Sequence, residues 1–411
     1  MKINNRTNLK LVKQMKISNT PDYFNRQDLV LEKGTGDKIK KTSLLVIGAG
    51  AGGNELLKNL VLMGFGHMTI IDFDYIEDSN LSKSTLFKKE DIGKSKALVA
   101  AERLNEYALH DNPSIIGIHG NLITEVGKGI IKDHDIVICC VDTMNARAYI
   151  NDWCVRLAKP FFEMGFENFD VNISFFCPNE NGFQVCLREQ IGQGNFDSNR
   201  NSCSGYKKDD KDLAKIPTIQ FTAALAGVLI ATEIVKFLNG NSSLKNKTLF
   251  FYGRTFETLI ISYKPDITCK IHEEFNLQFI EVDTPKNISL KQYIDNLQKI
   301  TNDKILLKLS ETYVISAKCH GCGSEIVYEK RQSIIYDYER WCIHCRESEN
   351  FTEQLNFERN VNEISELHEN CEGQILNRKF DSLGVPENEI MFATGLNEFP
   401  PKYYHFKNKL I

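Results

Sequence analysis

Apolar positions in the first 250 residues fall into short solid runs alternating with stretches of helical spacing. Ser43-Leu44-Leu45-Val46-Ile47 is an apolar run closed by glycines, the pattern of a buried strand. Asn54 to Gly64 follows with Leu56, Leu57, Leu60 and Val61 on one side of a helix. His67 to Phe73 is a second apolar strand, ending in the acids Asp72 and Asp74. The spacing then predicts a helix over 94–107, strands over 115–118 and 136–141, a helix over 146–157 and a strand over 160–164. A strand pair at 172–177 and 182–186 comes next, and a long apolar helix at 219–238 closes the series. Such alternation requires crossover connections, so the fold class is α/β: a Rossmann-like, doubly wound, mainly parallel sheet covered by helices.

The polarity shifts mark the organisation. Residues 1–40 are rich in Lys and Asn and read as an N-terminal arm with one short helix around Pro21 to Leu31. Residues 41–245 form the α/β domain. Within it, 192–215 is rich in Gly, Asn, Asp and Lys, has no periodicity and reads as a long loop. Residues 246–411 alternate short strands and helices less regularly and are expected to form a smaller α+β domain. Near the end, the aromatic run Tyr403-Tyr404-His405-Phe406 reads as a short edge strand.

Composition narrows the function classes. With 411 residues, 42% hydrophobic and 25% charged, the chain has the balance of an ordinary soluble protein of two or three domains. A net charge of -4 gives no basic footprint for nucleic acid. The N-terminus, Met1 to Arg6, has no apolar signal-peptide core. The longest apolar stretch, Ala223 to Leu238, is shorter than a membrane span and carries Glu233 and Lys236, so a buried helix is expected rather than a membrane partner. A cytoplasmic location follows as the expectation. There the twelve cysteines would be metal ligands, nucleophiles or core residues rather than disulfides.

Gly48-Ala49-Gly50-Ala51-Gly52-Gly53 lies between a predicted strand and a predicted helix. Gly48, Gly50, Gly52 and Gly53 permit a tight turn and close approach to phosphate, and the helix N-terminus adds free N–H donors. Asp72, at the end of the next strand, is near the spacing of a ribose-binding carboxylate. On these residues alone, a nicotinamide or flavin enzyme stays open.

The segments downstream narrow the choice. Asp72-Phe73-Asp74-Tyr75-Ile76-Glu77-Asp78-Ser79-Asn80-Leu81, Ile92-Gly93-Lys94-Ser95-Lys96-Ala97 and Val141-Asp142-Thr143-Met144-Asn145-Ala146-Arg147 resemble, in order and spacing, the superfamily of ubiquitin-activating and sulfur-carrier-adenylating enzymes (ThiF/MoeB). So do Asn151-Asp152, Lys159-Pro160 and Tyr23-Phe24-Asn25-Arg26-Gln27, and the resemblance covers residues 20 to 240. It implies that ATP binds with Asp72 on the ribose and with Asn80 and Lys96 on the phosphates. Asp142 would hold magnesium beside the attacking carboxylate. Arg26 would reach the ATP of a neighbouring subunit in a homodimer. Two departures stand out. Asn80-Leu81-Ser82-Lys83-Ser84 has Lys83 where relatives have arginine, which keeps the charge and loses the bidentate fork. Thr143 replaces the asparagine that usually follows the aspartate.

The implied chemistry is ATP-dependent adenylation of the C-terminal glycine carboxylate of a ubiquitin-like protein. Thioester formation on the enzyme and transfer to a conjugating enzyme would follow. The rival readings are a sulfur-carrier adenylyltransferase of the thiamine or molybdopterin type, a peptide-adenylating enzyme, and a non-catalytic binding module that kept the fold. Cys203 lies in the polar loop, where single-domain relatives place a thioester cysteine, and Arg200, Lys207 and Lys208 would favour its thiolate. It stands as nucleophile, sulfur relay or bystander, with Cys186 second. Cys139, Cys140 and Cys154 read as core residues.

Cys319-His320-Gly321-Cys322 and Cys342-Ile343-His344-Cys345, separated by 323–341, have the spacing of a four-thiolate zinc site. The expectation is a structural zinc ribbon over 315–348, its two strands at 324–330 and 332–338. A redox dithiol pair is the alternative.

Overall fold

The computed structural model describes residues 23–110, 112–179 and 219–264, Cys186 and Ile271, and parts of 279–407. The first sheet has eight strands. Five are parallel: β1 (Ser43–Ile47), β2 (His67–Asp72), β3 (Ser114–His119), β4 (Ile136–Cys139) and β5 (Phe161–Glu167). Three antiparallel strands extend it: β6 (Asp170–Phe176), β7 (Lys247–Tyr252) and β8 (Glu257–Ser262). The order is β3-β2-β1-β4-β5-β6-β7-β8. Strands β7 and β8 thus carry this sheet beyond residue 245, where the sequence places the domain boundary.

The solid apolar runs have a direct cause: both faces of the sheet are covered. On one face lie α2 (Ala51–Leu62), α3 (Lys96–Tyr107) and α6 (Gln220–Leu238), packed with Leu44, Val46, Ile70 and Ile138. On the other lie α4 (Gly129–Lys132) and α5 (Met144–Arg156), packed with Leu45, Ile47 and Val137. Helix α3 starts at Ser95, whose hydroxyl accepts from the Leu98 N–H at 3.5 Å. Among the described residues, α6 is the one helix long and apolar enough to cross a membrane by composition, with mean hydropathy 1.8. In the fold it packs on α2. A Cβ at Gly227 would come within 2.7 Å of the Leu56 nitrogen, so glycine permits the close approach. Its buried Glu233 accepts from the Ser242 hydroxyl at 2.6 Å and the Leu244 N–H at 2.7 Å.

The second sheet comprises β9 (Phe279–Asp283), β10 (Ile305–Lys318), β11 (Glu325–Arg331), β12 (Val361–Leu367), β13 (Ile390–Gly395) and β14 (Lys402–Lys407), ordered β11-β10-β13-β14-β9 with β12 on β10. Helix α7 (Leu290–Thr301) buries Leu290, Tyr293, Ile294 and Leu297 against Ile305, Leu307 and Leu367. Two short helices, α8 (Ile343–Arg346) and α9 (Gly373–Leu376), complete this part.

Four expectations need correction. Residues 23–30 form turns, and the first helix among the described residues is α1 at Thr35–Lys41, where an acid-then-base gradient suits the helix dipole. β6 has both edges taken, by β5 and by β7, so it forms no hairpin with a following strand; the strand expected over 182–186 lies outside the described residues except Cys186, which is not in a strand. β11 pairs with β10, so the hairpin flanks the first cysteine pair instead of joining the two pairs. Strand β14 is interior, antiparallel to β13 and parallel to β9.

Candidate active site

The strand order reverses between β1 and β4, and a cleft opens beyond the carboxyl ends of those strands, as the topology of open α/β sheets dictates. A cavity of about 240 Å³ occupies it. Its floor is the glycine turn. Gly48 has φ +100°, and a Cβ there would sit 2.6 Å from the Cys140 carbonyl oxygen. At Gly53 a Cβ would meet the Gly48 carbonyl oxygen at 2.1 Å. Neither position admits a side chain without moving backbone. Asn54 braces the turn from below, donating to the Ala49 carbonyl at 2.7 Å and accepting from the Leu86 N–H at 3.0 Å. The first turn of α2 therefore points its N–H groups into the cavity, a ready anion site.

The walls are charged. The Asp72 carboxylate accepts from the Ala49 N–H at 2.6 Å and the Asp74 N–H at 2.8 Å. Burial pushes its pKa above the usual carboxylate value, against the pull of Lys96. The Lys96 ammonium pairs with Asp74 at 2.8 Å and is nearly buried. Asn80 caps its own short turn through the Glu77 N–H at 3.0 Å, and Lys83 follows it onto the rim. Asp142, exposed, enters from the segment after β4.

The profile of the ThiF family matches residues 24–270, more than half of the chain. The chain belongs to the ThiF family. It is 41% identical over 136 residues to SUMO-activating enzyme subunit 2 of Dictyostelium discoideum, covering 33% of this chain and 20% of that protein. It is 32% identical over 157 residues to the sulfur carrier protein adenylyltransferase of Thermus thermophilus, covering 38% and 57%. The chain thus spans between a fifth and three fifths of the length of these curated relatives. The crystal structure of E. coli MccB with AMPCPP and MccA aligns with TM-score 0.51 at 21% identity, over 62% of this chain and 75% of that one, a likeness of fold.

Of the residues singled out from the sequence, Gly48, Gly50, Gly52, Asp72, Asn80, Lys83, Lys96 and Asp142 line this one ThiF-type cavity. Gly53 lies beneath it. Arg26 does not join them; it is exposed in the turns over 23–30. Cys203 and the loop 192–215 lie outside the described residues. Cys186 is fully buried and its sulfur accepts from the Asn151 amide at 2.9 Å. Burial pushes the Cys140 and Cys154 thiols well up, the state of unreactive cysteines, although Cys140 also touches the cavity.

Sequence reasoning missed several lining groups. Asn121, Leu122 and Ile123, just after β3, form one wall, and Met164 and Phe166 of β5 another. Arg147, which closes the Val141–Arg147 motif but is assigned no role by it, lines the cavity and pairs with buried Glu163. A lone carboxylate inside the apolar run Phe161 to Met164 was the available signal, since a buried charge demands a partner.

The four cysteines converge at the end of the β10–β11 hairpin. All four sulfurs lie within 4.8 Å of one another, with Cys319–Cys345 at 3.6 Å and Cys322–Cys342 at 3.5 Å. A tetrahedral ion with metal–sulfur bonds of about 2.3 Å would space its sulfurs about 3.8 Å apart, so the donor set fits zinc. The first pair sits on a tight turn: the Gly323 N–H donates to the Cys319 carbonyl at 2.9 Å, and Gly323 has φ +73°. Crowding splits the thiols. Hydrogen bonding with Ser324 brings Cys322 down to about 6, and the neighbouring sulfur of Cys322 pushes Cys345 up to about 12.

Proposed function

We propose that this chain uses ATP to adenylate the C-terminal glycine carboxylate of a ubiquitin-like protein. The observation that carries the reading is the convergence of the glycine turn, Asp72, Asn80, Lys83, Lys96 and Asp142 on one cavity at the switch point. The phosphates of ATP would rest on the N-terminus of α2, with the ribose hydroxyls on Asp72. Lys96, Lys83 and Asn80 would face the phosphates, where preorganised donors and cations stabilise spreading negative charge. A magnesium ion would neutralise phosphate charge, and Asp142 offers the oxygen ligand it prefers. The substrate carboxylate oxygen attacks the α-phosphorus, the bond to the bridging oxygen breaks, and pyrophosphate leaves.

Arg26, in this reading, completes the site of a second subunit in a homodimer, and its exposed place leaves it accessible to one. The Cys203 thiolate then attacks the acyl carbon of the adenylate, the bond to the phosphate oxygen breaks, AMP leaves, and the thioester is held for a conjugating enzyme. The cysteine cluster holds structural zinc in a ribbon-like module, which together with the active thiol requires a reducing, cytoplasmic setting. The relative that is a sulfur carrier protein adenylyltransferase favours a second reading, in which the reaction stops at the acyl adenylate.

The test is intact mass without reductant after incubation with ATP, magnesium and a glycine-ended ubiquitin-like protein, for wild type and Cys203→Ser. A reductant-sensitive adduct of one partner mass, absent in the variant, is expected. An AMP-modified partner with no enzyme adduct would move the function to the sulfur-carrier reading.

A further inference from the structure

The segment that carries Asp142 joins β4 to α5 in a few residues. Its near end is pinned by the last ladder bond, Cys140 N–H to the Ile47 carbonyl at 2.7 Å. Beyond that point the Val141 carbonyl has left the sheet. The Arg147 side chain reaches back from the first turn of α5 and donates to this carbonyl at 2.7 Å. Its other arm is held by Glu163, which sits on β5 directly opposite Cys139 in the ladder. Both side chains are close to buried, 12% and 6% exposed. Arg147 nevertheless lines the same cavity as Asp142.

We propose that Arg147, oriented by Glu163, is a positioning residue that fixes the Val141–Asp142 peptide and so aims the Asp142 carboxylate at the divalent cation of the bound nucleotide. This rests on the reading of Asp142 as the magnesium ligand. The arrangement suits that task better than simple charge compensation. An ion pair alone needs one contact, whereas this guanidinium spends its second arm on a backbone carbonyl adjacent to the site residue. A planar fork fixes the directions in which it serves a carboxylate and a carbonyl together; an ammonium can reach two acceptors but imposes no such fixed geometry.

The experiment is ATP binding by calorimetry with and without magnesium, together with melting temperature, for wild type, Arg147→Lys, Glu163→Gln and Asp142→Asn. Wild type is expected to gain affinity with magnesium, and Asp142→Asn to lose that gain. Arg147→Lys should lose at least about tenfold of the magnesium-dependent gain, measured against its own metal-free affinity. Glu163→Gln, which keeps an acceptor for the fork, should lose a smaller part. A folded Arg147→Lys with the full wild-type gain overturns the proposal, as does an equal loss of affinity with and without the metal. If Arg147→Lys does not fold, Glu163→Gln decides: a reduced gain supports the proposal and an unchanged one overturns it. A wild-type chain with no magnesium-dependent gain overturns instead the assignment of Asp142.

Discussion

Asp72 combines two roles, holding the glycine turn through the Ala49 N–H and presenting oxygen to the cavity. Burial makes its ionisation harder, and Lys96 only partly offsets this. The sign of the pH effect follows. With its folded pKa raised, the native state takes up a proton more readily than the unfolded chain. Asp72's contribution to stability is therefore fullest below about 3.9 and is lost as pH rises through the folded value. In the proposed function nucleotide binding would run the other way, because the ionised carboxylate would accept from a ribose hydroxyl. ATP affinity should fall as pH drops through this raised pKa, at a pH where an ordinary aspartate stays ionised. Calorimetric titration across that range should show the fall in wild type and a weaker, flatter profile in Asp72→Asn. At this scale the sequence was readable where a residue belongs to a contiguous motif, as with Asp72, Lys96 and Asp142. It was silent where a residue works through a distant partner. Asn54 meets Leu86, and Arg147 meets Glu163, only after the strands are in register.

Among the elements, the parallel strands announced themselves because burial on both faces leaves uninterrupted apolar runs; β1 was placed at its observed bounds. The second sheet was harder to read. β10 runs from Ile305 to Lys318 through Lys308, Ser310 and Glu311; its first residues pair with β13 and its later ones with β11, while β12 pairs along both stretches. That one strand also supplies the hairpin arm before Cys319, which spacing alone assigned to residues after the first cysteine pair. The geometry of the cysteine cluster itself was legible, since two C-x-x-C turns can bring four sulfurs together. The purified chain should carry one zinc ion per molecule by elemental analysis. Strong chelation, or Cys345→Ser, should lower the melting temperature by several degrees and release the metal, because binding energy at such sites is folding energy. A chain that holds no zinc and melts unchanged with chelator would remove the structural-metal reading.

At the scale of the molecule, the two sheets meet through a buried ion pair. Lys128 enters from just before α4 and Glu389 from just before β13, with 4% and 2% of their side chains exposed. The Lys128 ammonium also stands 4.7 Å from the Trp153 ring of α5. No sequence pattern pairs residues this far apart, so the contact was illegible beforehand. Removing one partner of a buried pair leaves an uncompensated charge, at a cost of about 3–5 kcal/mol. Glu389→Ala should therefore lower unfolding stability by that order in denaturant titration, and the double variant Lys128→Met, Glu389→Leu should recover much of it. An exposed surface pair would instead show a loss below about 1 kcal/mol.

The central claim is adenylation at the β1–β4 cavity, and exchange of labelled pyrophosphate into ATP tests it most directly. The chain would be offered glycine-ended ubiquitin-like and sulfur-carrier proteins, with magnesium. Exchange that requires one of these proteins, needs its free terminal carboxylate and falls at least about a hundredfold in Asp142→Ala is the predicted result. A chain that binds ATP in this cavity yet catalyses no exchange with any carboxylate-ended partner would contradict the account and leave a nucleotide-binding module in its place.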